Sequence, residues 1–122
     1  MNKGKTWSKP QAVVAPYYGA FRFFPAIGVQ ASTGDVHVSF YDNVRYSTRD
    51  IYGYYYRKTD ANLRPLTGET LASTTPIVPA LAFFGGAFFG DYTQLATSPA
   101  GANLIWTGSQ SGEQHIESTR VH

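Results

Sequence analysis

The chain contains no cysteine among its 122 residues, which excludes disulfide bonds and thiolate metal sites. Charged residues are also scarce, at 15%, where about a quarter is usual for a soluble domain. Because fewer charges leave less surface that must face water, we expect a large buried contact. The net charge of +2 is small and the basic residues form no run, so we expect no nucleic-acid partner.

Long hydrophobic runs are missing as well. No apolar stretch approaches the ~20 residues of a membrane helix, and the N-terminal residues lack the apolar segment of a signal peptide. The apolar stretch from Ile77 to Phe89 is interrupted by Pro79, Gly85 and Gly86, which predicts a loop. We therefore expect no membrane contact and no signal peptide in this chain, and the compartment stays open.

Metal-ligand spacing is absent from the three histidines, His37, His115 and His122. His37 lies in an alternating segment and is interpreted as a structural histidine. No nucleophile elbow, phosphate loop or dinucleotide fingerprint occurs either. The sequence therefore predicts no metal, no cofactor and no catalytic residues.

Helical periodicity is almost absent, and short segments rich in Val, Ile, Tyr, Phe and Trp recur between turn residues instead. This pattern predicts an all-β domain over residues 1–122. Two segments, Tyr52–Tyr56 and Leu104–Trp106, are apolar on both faces, which is typical of strands covered on both sides. The predicted strands are Trp7–Val14, Phe23–Val29, Val36–Tyr41, Ile51–Lys58, Leu66–Ala72, Asp91–Thr97, Asn103–Thr107 and Gln114–Val121.

An internal repeat relates the two halves of the chain. Ile27 aligns with Leu95 and Phe40 aligns with Trp106, each within a unit of three successive strands. A repeat of strands at this spacing is typical of a β-propeller or a related array.

The first residues of the chain include Asn2, Gly4, Thr6 and Trp7. They resemble the end of the Asp box, Ser-x-Asp-x-Gly-x-Thr-Trp, with Asn2 in the place of Asp. Asp boxes, also called BNR repeats, belong to the sialidase-like propellers. A second, decayed box keeps Asp60 and has Asn62 where Gly is expected. In this family the box is a structural turn between the third and fourth strands of a blade, so the resemblance implies that these residues shape the fold.

The position of the first box implies a permuted order of strands. Strand 4 of one blade (7–14) comes first, a complete blade (23–72) follows, and strands 1-2-3 of the split blade (91–121) come last. Two four-stranded blades are too few for a ring, so we expect a partial propeller that is completed by oligomerisation. Three copies give six blades, the number in sialidases, and we therefore favour a homotrimer.

The resemblance also implies which loops carry function. The loops from strand 4 to strand 1 and from strand 2 to strand 3 share the face that holds the sialidase active site. Aromatic and arginine side chains there suit a glycan or a carboxylate. The candidate ligand-binding residues are Tyr17, Tyr18, Arg22, Asp42, Arg45, Arg49 and Asp50.

The catalytic set of a sialidase cannot be mapped onto the chain, because no Glu lies beside a matching Tyr motif and no arginine triad is recognisable. We therefore expect an oligomeric, non-catalytic scaffold that binds a glycan or a small polar ligand. One alternative is a sialidase-like glycoside hydrolase whose site is composed across subunits. The other is a gene fragment with no function of its own.

Overall fold

The structure is a computed structural model that describes residues 4–46, 50–81, 87, 88, 90, 92–110 and 112–122. All regular structure in these residues is β-strand, so the predicted all-β class is confirmed. None of them belongs to a helix that could cross a membrane. The strands are β1 (Arg22–Val29), β2 (Val36–Asp42), β3 (Gly53–Thr59), β4 (Thr70–Leu71), β5 (Ala80–Leu81), β6 (Ala87–Phe88), β7 (Gln94–Ser98), β8 (Gly101–Gln110) and β9 (Glu113–Val121).

Two antiparallel sheets contain most of the strand residues in the described part of the chain. The four-stranded sheet has the order β1-β2-β3-β4, and the three-stranded sheet has the order β7-β8-β9. Each strand pairs with its neighbour in sequence, so both sheets are simple meanders. The short β5–β6 pair lies between them in the chain, within the stretch predicted as a loop. The identity of the two sheets as propeller blades stays a prediction.

Two predicted strands differ from the structure. The segment Leu66–Ala72 retains only β4, because the amides of Leu66 and Thr67 both donate to the Lys58 carbonyl and the ladder is irregular there. Residues 7–14 form no strand in the single chain. Trp7 is 90% exposed, and Pro10 has no amide hydrogen to donate to a ladder. This segment has no strand partner within the described residues.

The two sheets pack face to face around an aromatic core. Tyr54 of β3 stacks on Trp106 of β8, with ring centroids 4.9 Å apart. Gly28 allows the closest approach, because an added Cβ would lie 2.6 Å from Leu95 Cδ2 and 2.9 Å from Thr97 Cγ2. The buried core residues between the sheets are Tyr41, Tyr54, Tyr56, Ile77, Ala102, Leu104 and Trp106.

Polar groups between the sheets are hydrogen-bonded across the contact. The Tyr41 hydroxyl donates to the Thr107 carbonyl at 2.8 Å and accepts from the Thr107 amide at 2.9 Å. Thr97 Oγ1 donates to the Val29 carbonyl at 2.8 Å, and Thr93 Oγ1 donates to the Phe24 carbonyl at 3.0 Å. These bonds fix how one sheet is seated on the other, since a shift would leave buried polar groups unpaired.

The separation of the sheets increases from β1 and β7 toward the outer strands. At β1 and β7 the backbones are close enough for side-chain-to-carbonyl bonds. Beyond β4 and β9 there is a hollow of about 300 Å³, which is lined by Ala72, Thr74, Trp106, Glu117 and Ser118. The two sheets therefore form a wedge that is closed at the first strands.

The other face of the four-stranded sheet is also apolar. Its buried residues are Val36, Val38, Phe40 and Tyr55. The residues Val13 and Val14, which we call the strap, pack against this cluster. The strap covers only part of the face, because Ile27 and Val29 stay 68% and 56% exposed.

Candidate ligand-binding surface at the loop end

The predicted functional loops lie at one end of the two sheets, which we call the loop end. The segment before β1 and the β2–β3 connection meet there because β1 and β2 are antiparallel, with Arg22 opposite Asp42. The bond from Thr93 to the Phe24 carbonyl brings the start of β7 to the same end. The loops that the sequence singles out are thus neighbours in space.

Tyr17 and Tyr18 project into solvent just before β1. They occupy a turn in which the Ala20 amide donates to the Tyr17 carbonyl at 3.2 Å and Gly19 adopts a φ of +85°. The next amide, that of Phe21, donates to Asn43 Oδ1 at 2.8 Å and ties this turn to the β2–β3 connection. The two tyrosines are therefore exposed on a backbone that is held in place.

Arg22 and Asp42 are paired with each other instead of facing solvent. Arg22 Nε lies 2.5 Å from Asp42 Oδ2, and the Asp42 side chain is fully buried. The same guanidinium donates to the Ala15 carbonyl and lies 3.4 Å from Glu69, which in turn lies 3.4 Å from Arg57. These charges form one network on the outer face of the four-stranded sheet, where each opposite charge offsets the cost of burial.

Of the other three predicted binding residues, the structure describes Arg45 and Asp50. The Arg45 guanidinium lies 5.9 Å from the centroid of the Tyr55 ring, a cation–π distance. Burial raises the pKa of Tyr55 to about 12, and the charge of Arg45 acts in the opposite direction. Asp50 is exposed, and Arg49 lies outside the described residues.

Three exposed aromatic residues at the loop end were not predicted from the sequence: Phe21, Phe24 and Tyr92. Phe24 has a φ of +47° in an irregular stretch between Phe23 and Ala26, where the register with β2 shifts. Such a bulge re-aims side chains. Tyr92, 82% exposed, precedes the Thr93 that bonds to Phe24. The aromatic residues Phe21, Phe23 and Phe24, which cluster where β1 begins, are the signal that the sequence offers.

A cluster of aromatic rings lies against Phe24 at the loop end. Phe23 stacks on Tyr41 at 5.3 Å and meets the edges of Phe24 and Tyr52, each at 5.1 Å. Edge-to-face and offset pairs of this kind stabilise a fixed arrangement. The exposed aromatic side chains of the loop end are Tyr17, Tyr18, Phe21, Phe24 and Tyr92.

The second Asp-box turn lies away from the loop end, because it follows β3 at the other end of the sheet. Asp60 Oδ1 accepts the amides of Asn62 and Arg64, both at 2.8 Å, and closes the turn between β3 and β4. The positive φ in this turn, +62°, belongs to Leu63 and not to Asn62.

At the first box Gly4 has a φ of +77°, whereas Thr6 and Trp7 are exposed. Asn2 lies outside the described residues. Trp7 thus makes no packing contact of the kind that the resemblance implies for an Asp-box aromatic.

No group of three or more His, Asp or Glu side chains in the described residues is placed to hold a metal ion. The chain matches no family model, no curated protein and no solved structure. The resemblance to sialidase-like propellers therefore rests on the motifs and their order alone.

Proposed function

We propose that the chain is a non-catalytic, propeller-type scaffold that binds a glycan or another small polar ligand at the loop end. The observation that carries this proposal is the exposure of five aromatic side chains at that end, next to arginine and amide groups. Exposed aromatic residues that share one surface are a feature of interaction sites, whereas scattered ones need no explanation.

Tyrosine suits a sugar for two reasons. Its ring is apolar and rigid, so it can stack on the C–H groups that a pyranose presents on one face. Its hydroxyl can donate and accept hydrogen bonds at the rim. Because Tyr17 and Tyr18 project from a turn that is tied to Asn43, little order has to be imposed when a ligand binds.

The charged residues support binding over catalysis. Arg22, Asp42, Arg57 and Glu69 are engaged with each other on the face of the sheet. A substrate carboxylate would have to displace Asp42 from Arg22, which would leave a buried carboxylate without its cation. We therefore assign this network to the support of the loop end.

The scaffold part of the proposal is supported by the wedge between the sheets. Sheets that are closed at their first strands and open at their outer strands are related like neighbouring blades around a central axis. The hollow of about 300 Å³ beyond β4 and β9 fits this arrangement.

Binding is tested by a glycan array, followed by calorimetric titration of the best ligand. We expect Tyr18→Ala and Tyr92→Ala each to weaken the affinity by about 1–2 kcal/mol, which is a loss of roughly 5- to 30-fold. The matched control is Leu66→Ala, an exposed apolar side chain beyond β3, at the opposite end of the sheet. Binding that is lost in the control but kept in both tyrosine variants would contradict the proposal.

Hydrolysis is tested with a fluorogenic sialoside and the purified chain. We expect no turnover above the uncatalysed rate, because the arginine and carboxylate groups of the network are paired with each other. Clear turnover that disappears in Arg22→Ala would replace the scaffold by a sialidase-like hydrolase.

A further inference from the structure

Within the described residues, two sheet faces lack a partner of their own size. The first, the outer face of the four-stranded sheet, presents Ile27 and Val29 beside the strap. The second is the far face of the three-stranded sheet. It consists of the exposed residues Gln94, Ala96, Asn103, Ile105, Ile116, Ser118 and Arg120. Ile116 on this far face is 69% exposed.

The internal repeat shows how these two faces are related. The alignment that places Ile27 on Leu95 also places Gly28 on Ala96 and Val29 on Thr97. Gly28 belongs to the packed face of the first sheet, whereas its equivalent Ala96 lies on the exposed far face. Leu95 and Thr97 belong to the packed face of the second sheet, whereas their equivalents Ile27 and Val29 are exposed.

The two surfaces that form the contact between the sheets therefore each occur twice in the chain. One pair of these surfaces is packed together inside the molecule, and we call it the joined contact. The equivalent second pair lies exposed on the two outer faces, and we call it the open contact. In the joined contact a bulky side chain, Leu95, is seated on Gly28. In the open contact the equivalent bulky side chain is Ile27, and the equivalent small residue is Ala96. Within one chain these two residues lie on opposite outer faces, so they can meet only between two molecules.

We propose that the outer face of the four-stranded sheet binds the far face of the three-stranded sheet of a second copy of this chain. The geometry of the joined contact sets the arrangement. Ile27 of one copy sits on Ala96 of the next. Ile116 is the equivalent of Tyr54, because each lies opposite the residue that follows Phe40 or Trp106 in its own sheet. Since Tyr54 stacks on Trp106, Ile116 of one copy approaches the strap that covers Phe40 of the next. The contact is head-to-tail, so it propagates from copy to copy and closes into a ring when the rotation allows.

Surface shape agrees with this arrangement. The outer face has an apolar hollow of about 240 Å³, which is lined by Val13, Val14, Arg22, Phe23, Pro25, Val38 and Phe40. The far face is itself concave, with a hollow of about 430 Å³ over β7, β8 and β9. Exposed aliphatic side chains on both faces can fill these hollows, and burying them is favourable by about 25 cal/mol per Å² of apolar surface.

The free edge of β9 supplies a second link. In the described part of the chain β9 pairs only with β8. In the docked arrangement β9 of one copy lies close to residues 7–14 of the next, which have no strand partner. Pairing between them would give the three-stranded sheet the fourth strand that β4 provides in the other sheet, and would cover an exposed edge.

The test uses one blocking variant on each face. Ile27→Arg blocks the outer face and Ala96→Arg blocks the far face, and both changes are at exposed positions. Both introduce the same charge, so they cannot compensate each other. Val78→Arg, an exposed aliphatic position at the loop end, is the control, and Ile116→Arg is the second variant on the far face. Folding is verified by circular dichroism.

Mass is measured by analytical ultracentrifugation over a dilution series. We expect the parent chain and Val78→Arg to form a closed species near three times 13.4 kDa, and each blocked variant to have the mass of one chain, 13.4 kDa. An equimolar mixture of Ile27→Arg and Ala96→Arg should form a dimer and nothing larger, because one intact copy of each face remains. If each face bound the same face of a second copy instead, mixing the two variants would not restore any contact.

Three results would overturn the proposal: a parent chain that has the mass of a single chain throughout, a folded blocked variant that keeps the parent mass, or a mixture that does not dimerise. Ligand binding is measured on the same monomeric Ile27→Arg protein, since its loop end is unchanged. Assembly and ligand binding can therefore fail independently.

Discussion

Strands β2 and β9 are of similar length but are buried in different ways. All seven residues of β2 are buried, although His37, Ser39 and Asp42 are polar, whereas burial along β9 alternates from one residue to the next. The polar groups of β2 are tolerated because each has a partner: Tyr56 for His37, Tyr54 for Ser39 and Arg22 for Asp42.

The difference teaches that coverage, and not hydrophobicity, distinguishes the two sheets. The four-stranded sheet has the second sheet on one face and the strap on part of the other. In the part of the chain that the structure describes, the three-stranded sheet has another sheet against one face only. A buried polar group is acceptable in the first sheet because its position is fixed by neighbours on both sides.

The largest loss of stability that we expect comes from a substitution on the covered face of the three-stranded sheet. Leu104 is fully buried, and its neighbour Ile105 points to the open far face and is half-exposed. We expect Leu104→Ala to lower the free energy of unfolding by about 2–5 kcal/mol, because it leaves a cavity in the core. Ile105→Ala should cost less than about 1 kcal/mol in the monomer.

Urea unfolding of both variants in the monomeric Ile27→Arg background measures this pair without any contribution from assembly. If Leu104→Ala and Ile105→Ala lowered the free energy of unfolding equally, the far face would be covered within the single chain. That result would contradict the difference in coverage between the two sheets.

We expect a smaller change in stability when either of two buried tyrosine hydroxyls is removed. The two hydroxyls lie on opposite faces of the four-stranded sheet. Burial raises the pKa of Tyr41 and of Tyr55 to about 12. The Tyr41 hydroxyl makes two hydrogen bonds to Thr107, whereas the Tyr55 hydroxyl has no partner among the described residues. We expect Tyr41→Phe to cost about 1–3 kcal/mol, and Tyr55→Phe to be neutral or slightly stabilising.

Thermal unfolding of the two Phe variants is the direct measurement. A large loss of stability in Tyr55→Phe would mean that the Tyr55 hydroxyl has a hydrogen-bond partner. The two faces of the four-stranded sheet would then not differ in how they satisfy buried hydroxyls.

Much of the fold was predictable because the strands of both meanders alternate with turn residues. The segments Phe23–Val29, Val36–Tyr41 and Gln114–Val121 each overlap a strand to within a few residues. The short β5–β6 pair was missed because Gly and Pro in that stretch favour a loop by local preference, and pairing there depends on a neighbour.

The candidate site was less predictable, because exposure depends on tertiary contacts. The sequence predicts that Arg22 and Asp42 face a ligand, but cross-strand register places them side by side, where they form an ion pair. Tyr92 has no such pattern around it, because its neighbour Thr93 is fixed beside Phe24 by a bond between the two sheets. Such long-range contacts have no local signal in the sequence.

The smallest effect that we expect is a pH dependence from His37. This ring is fully buried between the sheets, where burial and the charge of Lys58 lower its pKa while Asp35 acts in the opposite direction. Because Gln30 Nε2 donates to the Pro99 carbonyl, its Oε1 accepts from His37 Nε2 at 3.0 Å. His37 Nδ1 then accepts from the Tyr56 hydroxyl at 2.9 Å, so the neutral ring satisfies both partners.

The unfolded chain takes up a proton on His37 near its usual pKa of about 6.5, while the native chain resists it. Stability from this group is therefore complete above about pH 6.5 and is lost as the pH falls through the lowered native pKa. Urea unfolding at about pH 7.5 and about pH 5.5 should show this loss in the parent chain and not in His37→Gln, whose amide can still donate and accept. The control His115→Gln, an edge-strand histidine, should keep the parent's pH dependence. An unchanged loss in His37→Gln would assign the pH dependence to another group.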